Sequence, residues 1–393
     1  MWLLDVETLE LHEFVGSQVP AYAILSHVWG AEEVSFSEMK KAKHRAAAQQ
    51  KAGFAKIKGC CARARKDGLK WAWVDSCCID KRSSAELSEA INSMFQWYRG
   101  ARLCYVYLAD ISNAPSPTEL AGSRWFTRGW TLQELLAPRR ILFFARDWIR
   151  IGCLEVAGQR AVNWFDLRAE EEKVAPAYLL AQLSTITGIP ENVLSGKTAL
   201  TQSPVAQRMH WASRRETTRP EDRAYSLMGL FDISMPILYG EGLDKAFTRL
   251  QYEIMSRTPD QSILAWYSPH ATTYRLLAES PDDFRNSGLV TREAAGDVKV
   301  VKPTSFFMTS LGLRISLLLA DDVGDDGDYY WYTSNSRFEL GNGRLSPGDT
   351  ALALLHCSTP ADDGFPESAA PSLSAADPPT GWSGPQGETL ARP

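Results

Sequence analysis

Glu134 stands alone among apolar neighbours in SRWFTRGWTLQELLAP, residues 123–138. It follows Trp130 by four positions, so a helix here puts ring and carboxylate on one face. Such a carboxylate is explained either by an ion pair with Arg128 or Arg139 at a helix end or by a chemical task. One enclosed glutamate beside aromatic walls and hydrogen-bond donors suits a glycosidic carbon that develops positive charge. It can stabilise an oxocarbenium-like centre or hold the 2- and 3-hydroxyls of a ribose, while Trp130 or Trp29 stacks on a base. A pyridinium leaving group such as nicotinamide departs neutral and needs no second, protonated carboxylic acid.

Other chemistries are poorly served. There is no GxGxxG after a strand, no P-loop, no HExxH and no GxSxG. The six histidines do not pair at metal-ligand spacing, and no metal is expected. Of the seven cysteines, Cys60-Cys61 and Cys77-Cys78 are adjacent, which is not zinc-finger spacing, and the odd count fits a reducing compartment. Cys77 or Cys78 beside His27 could form a thiol nucleophile, or both could be packing residues. The formal charge of -5 gives no argument for nucleic acid. The first residues, MWLLDVETLELHEF, are acidic where a signal peptide is basic, and no apolar run reaches spanning length. A cytoplasmic protein is expected.

The elements that must position these residues follow from the pattern. WLLDV and LELHEF read as a hairpin with a turn near Glu7-Thr8. YAIL, ending in Ser26-His27 and broken by Gly30, reads as a strand. Residues 46–66 form a basic, Ala-rich helix with Phe54, Ile57 and Cys61 on one face. WAWVD is a strand closing on Asp75. Ser83 and Glu86 make a capping box for a helix over 84–98, whose stripe is Leu87, Ile91, Met94, Phe95 and Tyr98. RLCYVYLAD is a third strand ending in Asp110. The helix 124–136, capped by Ser123 and stopped by Pro138, and the strand RRILFFA complete the pattern.

Strand–helix alternation of this kind predicts an α/β fold with a doubly wound, mostly parallel sheet. Its polar strand ends then converge on one cleft. Residues 146–260 change to helices, at about 169–187, 203–213 (Ser203 as cap, Pro204 first), 221–229 and 243–255. After Ser262 short strands are expected at DVKVV, FFMTS, LRISLLL, DYYWYT and ALALLHC. The Pro-, Ser- and Asp-rich tail is expected to be disordered. The domains are therefore read as 1–145, a helical subdomain at 146–260 packed on that core, a β-rich region at 261–357 and a tail at 358–393.

YAILSHVWG, WAWVDSCCIDK, ELSEAINSMFQWYRGARLCYVYLAD and SRWFTRGWTLQELLAP, in that order, resemble the successive motifs of the fungal heterokaryon-incompatibility domain. RPEDRAYSLMGLFDISMPILYGEG and SILAWYSP resemble the segments that often follow it. The resemblance implies a role in non-self recognition and regulated cell death. The family is distantly similar to the Toll/interleukin-1 receptor domain, whose enzymatic members cleave NAD at the nicotinamide–ribose bond. There a glutamate lies in the helix after the third strand, in a Trp-Cys-x-x-Glu-like motif. Trp130-Thr131-Leu132-Gln133-Glu134 takes that place here, with Thr131 where the motif has Cys. The resemblance thus implies a TIR-like (flavodoxin-like) sheet, Glu134 and His27 as catalytic residues, and a pocket from Ser26, Trp29, Gly30, Asp75, Cys78, Asp80, Asp110, Arg128 and Trp130. NAD is the candidate substrate, no separate cofactor is expected, and activity would depend on self-association or an upstream partner. The competing expectation is a non-catalytic oligomerisation or signalling module.

Overall fold

A computed structural model of the chain describes residues 1–156, 176–267 and 276–292, with short strand segments between 307 and 391. Two compact units are present. The first comprises Met1–Leu200 with Arg215–Tyr239, and the second Thr201–Arg214 with Gly240–Pro393.

The first unit is built on a seven-stranded sheet. Its strands are β1 (Trp2–Asp5), β2 (Leu11–Glu13), β3 (Tyr22–His27), β4 (Trp71–Trp73), β5 (Leu103–Tyr107), β6 (Arg140–Phe144) and β7 (Arg150–Glu155), in the order β2-β1-β4-β3-β5-β6-β7. Four central strands are parallel: β4 pairs with β3, β3 with β5 and β5 with β6. All six residues of β3 are buried, as a central parallel strand covered on both faces requires. The chain leaves β3 for β4 on one side and then crosses to β5 on the other. Ser26 and His27, facing Val106 and Tyr107 in register, therefore end at the reversal point where α/β sheets open a crevice.

The edges correct the expectation of a mostly parallel sheet, which is mixed. The expected hairpin forms and is welded antiparallel to β4 through Leu4–Ala72 and Asp5–Trp71. Asp5 makes its turn by accepting the backbone N–H groups of Glu7 and Thr8. At the other edge β7 pairs antiparallel with β6, inside the block read from sequence as purely helical.

Two expected helices are each divided. Residues 46–66 become α2 (Ala42–Ala48), which follows α1 (Phe36–Lys40), and α3 (Ala52–Lys66). The break arises because Gly53 N–H donates to Glu32 O and Ala52 N–H to the Glu32 carboxylate, fixing the start of α3 on the preceding loop. The stretch 124–136 becomes a 3-10 turn, Arg124–Thr127, and α6 (Thr131–Leu136), after α5 (Pro117–Ala121). Arg128 is extended between them, and Gly129 N–H donates to Glu216 O at 2.8 Å. α4 (Ser84–Gly100) forms as expected, with Ser83 accepting from Glu86 N–H and Ile91, Met94, Phe95 and Tyr98 buried. Later in this unit come α7 (Pro176–Thr187), α8 (Glu191–Leu194) and α10 (Asp222–Tyr225). The last covers only the first half of the expected helix 221–229, which continues as a 3-10 turn, Met228–Phe231.

In the second unit α9 (Val205–His210) starts later than expected. Pro204 occupies the cap position, and Asp260 and Ser262 accept the Val205 and Ala206 N–H groups instead of Ser203. α11 (Leu243–Arg257) buries Phe247, Leu250 and Ile254. Of the expected C-terminal strands, Phe307–Thr309, Gly312–Ile315, Leu318–Ala320 and Thr350–Leu354 are described. DVKVV, DYYWYT and the beginning of the helix at 169–187 lie outside the described residues. Within the expected tail the described residues include two short strands, Ser372–Ser374 and Thr389–Ala391.

Candidate functional site

Glu134 lies in the short α6, only 7% exposed, against the C-terminal end of β3. Trp125 Nε1–H donates to Ser26 Oγ at 2.8 Å, so the single Ser26 hydroxyl proton goes to Glu134 Oε2, 2.5 Å away. Tyr98 donates its hydroxyl to Leu25 O at 2.9 Å and lowers the same carboxyl's pKa. Burial drives the acid towards its neutral form. It pushes the Glu134 carboxyl up to about 8, Asp75 adds to the push, and Ser26, Tyr98 and the Arg128 charge oppose it.

The first turn of α6 is held from 84 residues away. Buried Arg215 donates Nη1 to both Arg128 O and Thr131 Oγ1 at 2.9 Å. Burial pulls its guanidinium down to about 10, against the opposing pull of Glu134. Trp130 is the residue preceding α6 and donates Nε1–H to Asp222 Oδ2 at 3.2 Å. Tyr239 donates to the other Asp222 oxygen, and Arg219 lies over the Tyr239 ring.

A second cluster begins one residue after Ser26. His27 Nε2 meets Asp75 Oδ1 at 2.9 Å, and its Nδ1 meets Lys56 Nζ at 2.9 Å. Lys56 also donates to Val28 O and pairs with Glu33. Three partners use its three protons, so His27 Nδ1 accepts and Nε2–H donates to Asp75. Trp29 Nε1–H donates to Asp75 Oδ2 at 2.8 Å, and Lys81 lies 3.5 Å above the Trp29 ring. Burial pushes the Asp75 carboxyl up, but the His27 hydrogen bond, the Lys81 charge and the Trp29 bond leave it well below the usual carboxylate range. Gly30 N–H donates to Glu33, which closes the loop on this network. Trp29 itself is 42% exposed and forms the solvent side of the cluster.

Ser26, His27, Trp29, Gly30, Asp75 and Glu134 are thus brought together at the ends of β3 and β4. The remaining candidates have other duties. Asp110 accepts from Ser123 Oγ and Arg124 N–H and anchors the 3-10 turn. Asp80 pairs with Arg82. Buried Cys78 accepts from Val74 N–H, and burial pushes the Cys77 thiol well up, against a thiolate role for Cys77. Arg128, expected as an ion-pair partner, donates Nη1 to Thr218 Oγ1. Trp130, expected as a stacking wall, is tied to Asp222. Sequence reading missed Tyr98, Lys56, Glu33, Trp125 and Arg215. Tyr98 passes for a core-stripe residue and Lys56 for a solvated helix face. Only the pairing of Trp125 with a buried serine carries a hint.

The heterokaryon incompatibility protein (HET) family matches residues 22–119. The chain carries a HET domain. The match includes Ser26, His27, Asp75 and Tyr98 and ends before Trp125 and Glu134. A domain of unknown function, DUF8212, matches residues 245–275. Vegetative incompatibility protein HET-E-1 of Podospora anserina is 44% identical over 247 residues, which is 60% of this chain and 16% of that protein. The HET-domain chain therefore corresponds to a small part of that relative. No solved structure matches it. Among the described residues no helix is long and apolar enough to cross a membrane, and no His, Cys, Asp and Glu group could hold a metal.

Proposed function

We propose that the protein acts in fungal vegetative incompatibility and that its HET domain cleaves the nicotinamide–ribose bond of NAD, with Glu134 as the carboxylate. The observation that carries this reading is the buried, serine-bonded acid at the reversal point of the sheet, held near pKa 8. The order of the parallel strands (second, first, third, fourth) also supports a TIR-like arrangement with the acid on the helix after the third strand.

In the proposed reaction the C1′–N1 bond breaks and its electron pair passes to the pyridinium nitrogen, so nicotinamide leaves neutral. Water adds to C1′ and releases a proton, giving ADP-ribose. Burial favours a protonated resting Glu134, and an approaching pyridinium cation favours its ionised form, the acid's proton passing to solvent water as the substrate enters. The Tyr98 hydroxyl then turns from Leu25 O to the carboxylate, so that Tyr98 and Ser26 both donate to it. His27 is a positioning residue, because Lys56 and Asp75 occupy both ring nitrogens. Asp75 and the exposed Trp29 offer the solvent-facing groups for a ribose hydroxyl and a base.

A second reading draws on the same burial. A neutral Glu134 bonded to Ser26 joins α6 to β3, as it would in a non-catalytic signalling module. Nicotinamide release from NAD by concentrated protein, wild type against Glu134→Gln, separates the two. The enzyme reading expects a loss of at least about a hundredfold, as removal of a group acting on transition-state charge produces. Equal background from two proteins with the same melting curve would leave only the module.

A further inference from the structure

We propose that the protein forms a two-fold dimer in which α2 of each copy lies in a groove between the N-terminal hairpin and α4 of the other. The groove has a volume of about 740 Å³, and its walls combine the rings of Trp2, Phe14 and Trp97 with the carboxylates of Glu13, Glu86 and Glu89. Among the described residues no lysine or arginine lines it, and its one cation, the Met1 ammonium, donates to Phe14 O. Val15 at its rim is 69% exposed, a large apolar side chain left to solvent.

The complementary surface is α2, AKHRAAA, preceded by Lys41. Lys41, Lys43 and His44 are exposed, and Ala48 is the helix's one fully buried residue. A seven-residue helix with so little buried surface is far below the length at which helices persist in water. Within its own chain it is tied down by Arg45, which donates to Met39 O and Thr8 O and reaches Glu10 at 3.5 Å. Its alanines make it slender, so a groove walled by rings can admit it with the basic side chains turned to the glutamates.

The two surfaces adjoin on one protomer. Lys40, two residues before α2, sits 3.6 Å above the ring of Trp2, which is a wall of the groove. An acidic groove beside a basic helix is self-complementary under a two-fold rotation: each helix meets the other copy's groove, and the contact closes at two copies. Opposite charges across such a contact set partner choice and association rate, and their effect falls with salt.

The test is sedimentation equilibrium of the full chain, with charge reversals on both surfaces. Glu13→Lys with Glu89→Lys, and separately Lys41→Glu with Lys43→Glu, alter exposed side chains. Each pair is expected to weaken dimerisation by about tenfold or more, and the four changes together should restore it to within about threefold of wild type. Added salt should weaken the wild-type dimer. A wild type monomeric at every concentration would overturn the proposal. So would a dimer indifferent to either reversal, or a fourfold variant no tighter than the double variants. Circular dichroism of each variant checks that the reversals leave the fold intact.

Discussion

A carboxyl group held near 8 ties folding to pH in the opposite sense from an ion-paired carboxylate. Between the ordinary glutamate value of 4.5 and about 8, native Glu134 keeps a proton that the unfolded chain has released. The stability it contributes is therefore fully present below 4.5 and is lost as pH rises through that window, at up to about 1.4 kcal/mol per pH unit. Asp75 works the other way, since its native value is depressed: it contributes above the ordinary carboxylate range and loses that contribution in acid. Between about pH 6 and 8 Asp75 is ionised in both states, and the contribution of His210, held below its ordinary value by burial, is common to wild type and a Glu134 variant, so their difference isolates Glu134. Glu134→Gln keeps the shape and does not titrate. Its melting temperature should fall less steeply than wild type across that interval, measured by thermal denaturation in matched buffers. Parallel slopes would mean that the acid is already ionised at neutral pH.

The elements that hold these residues differ in how far they can be read from the chain. Strand β3 and helix α4 are legible because an unbroken apolar run and a 3.6-residue stripe are local signals. The division of 124–136 is not, because its cause, Glu216 O accepting from Gly129, lies 87 residues downstream. A Cβ at Gly129 would also stand 2.5 Å from Thr217 Cγ2. Strand β7 escapes for a related reason: Gly152 interrupts its alternation and is buried against Leu179, a residue beyond the strand. Candidate site residues follow the same division, since Glu134 and Ser26 are conspicuous by type whereas Lys56 and Tyr98 acquire meaning only from their partners. Gly53 tests the element scale directly. A Cβ there meets Glu32 O at 2.5 Å and Glu33 Cα at 2.9 Å, both backbone atoms, and Glu33 holds Lys56 and through it His27. Alanine gains about 1 kcal/mol of helix propensity, but backbone displaced by overpacking costs about 1–3 kcal/mol. Gly53→Ala should therefore be less stable than wild type by denaturant titration. A variant of equal or greater stability would show that the loop yields freely.

At the scale of the whole molecule, the unit that carries the site is longer than its most recognisable sequence. The family match at 22–119 omits the hairpin strands, β6, β7 and Glu134 itself. Even residues 1–145 leave out β7, which would strip β6 of its antiparallel neighbour and expose a sheet edge. They also leave out Arg215–Tyr239, which belongs to the same compact unit. That segment supplies Arg215 to Arg128 O and Thr131, exchanges backbone bonds with Thr127 and Gly129 through Glu216, and joins Met235 to Asn92 on α4. Gly229 lies against Phe95 so closely that a Cβ would stand 2.2 Å from the Phe95 Cβ. A fragment of 1–145 is thus expected to retain helical far-ultraviolet signal while losing near-ultraviolet signal and a cooperative melt. A fragment of 1–239 restores each of these contacts and should melt cooperatively. If 1–145 alone melts as sharply as 1–239, the returning segment contributes little, and the hold of Arg215 on the first turn of α6 is dispensable to the fold.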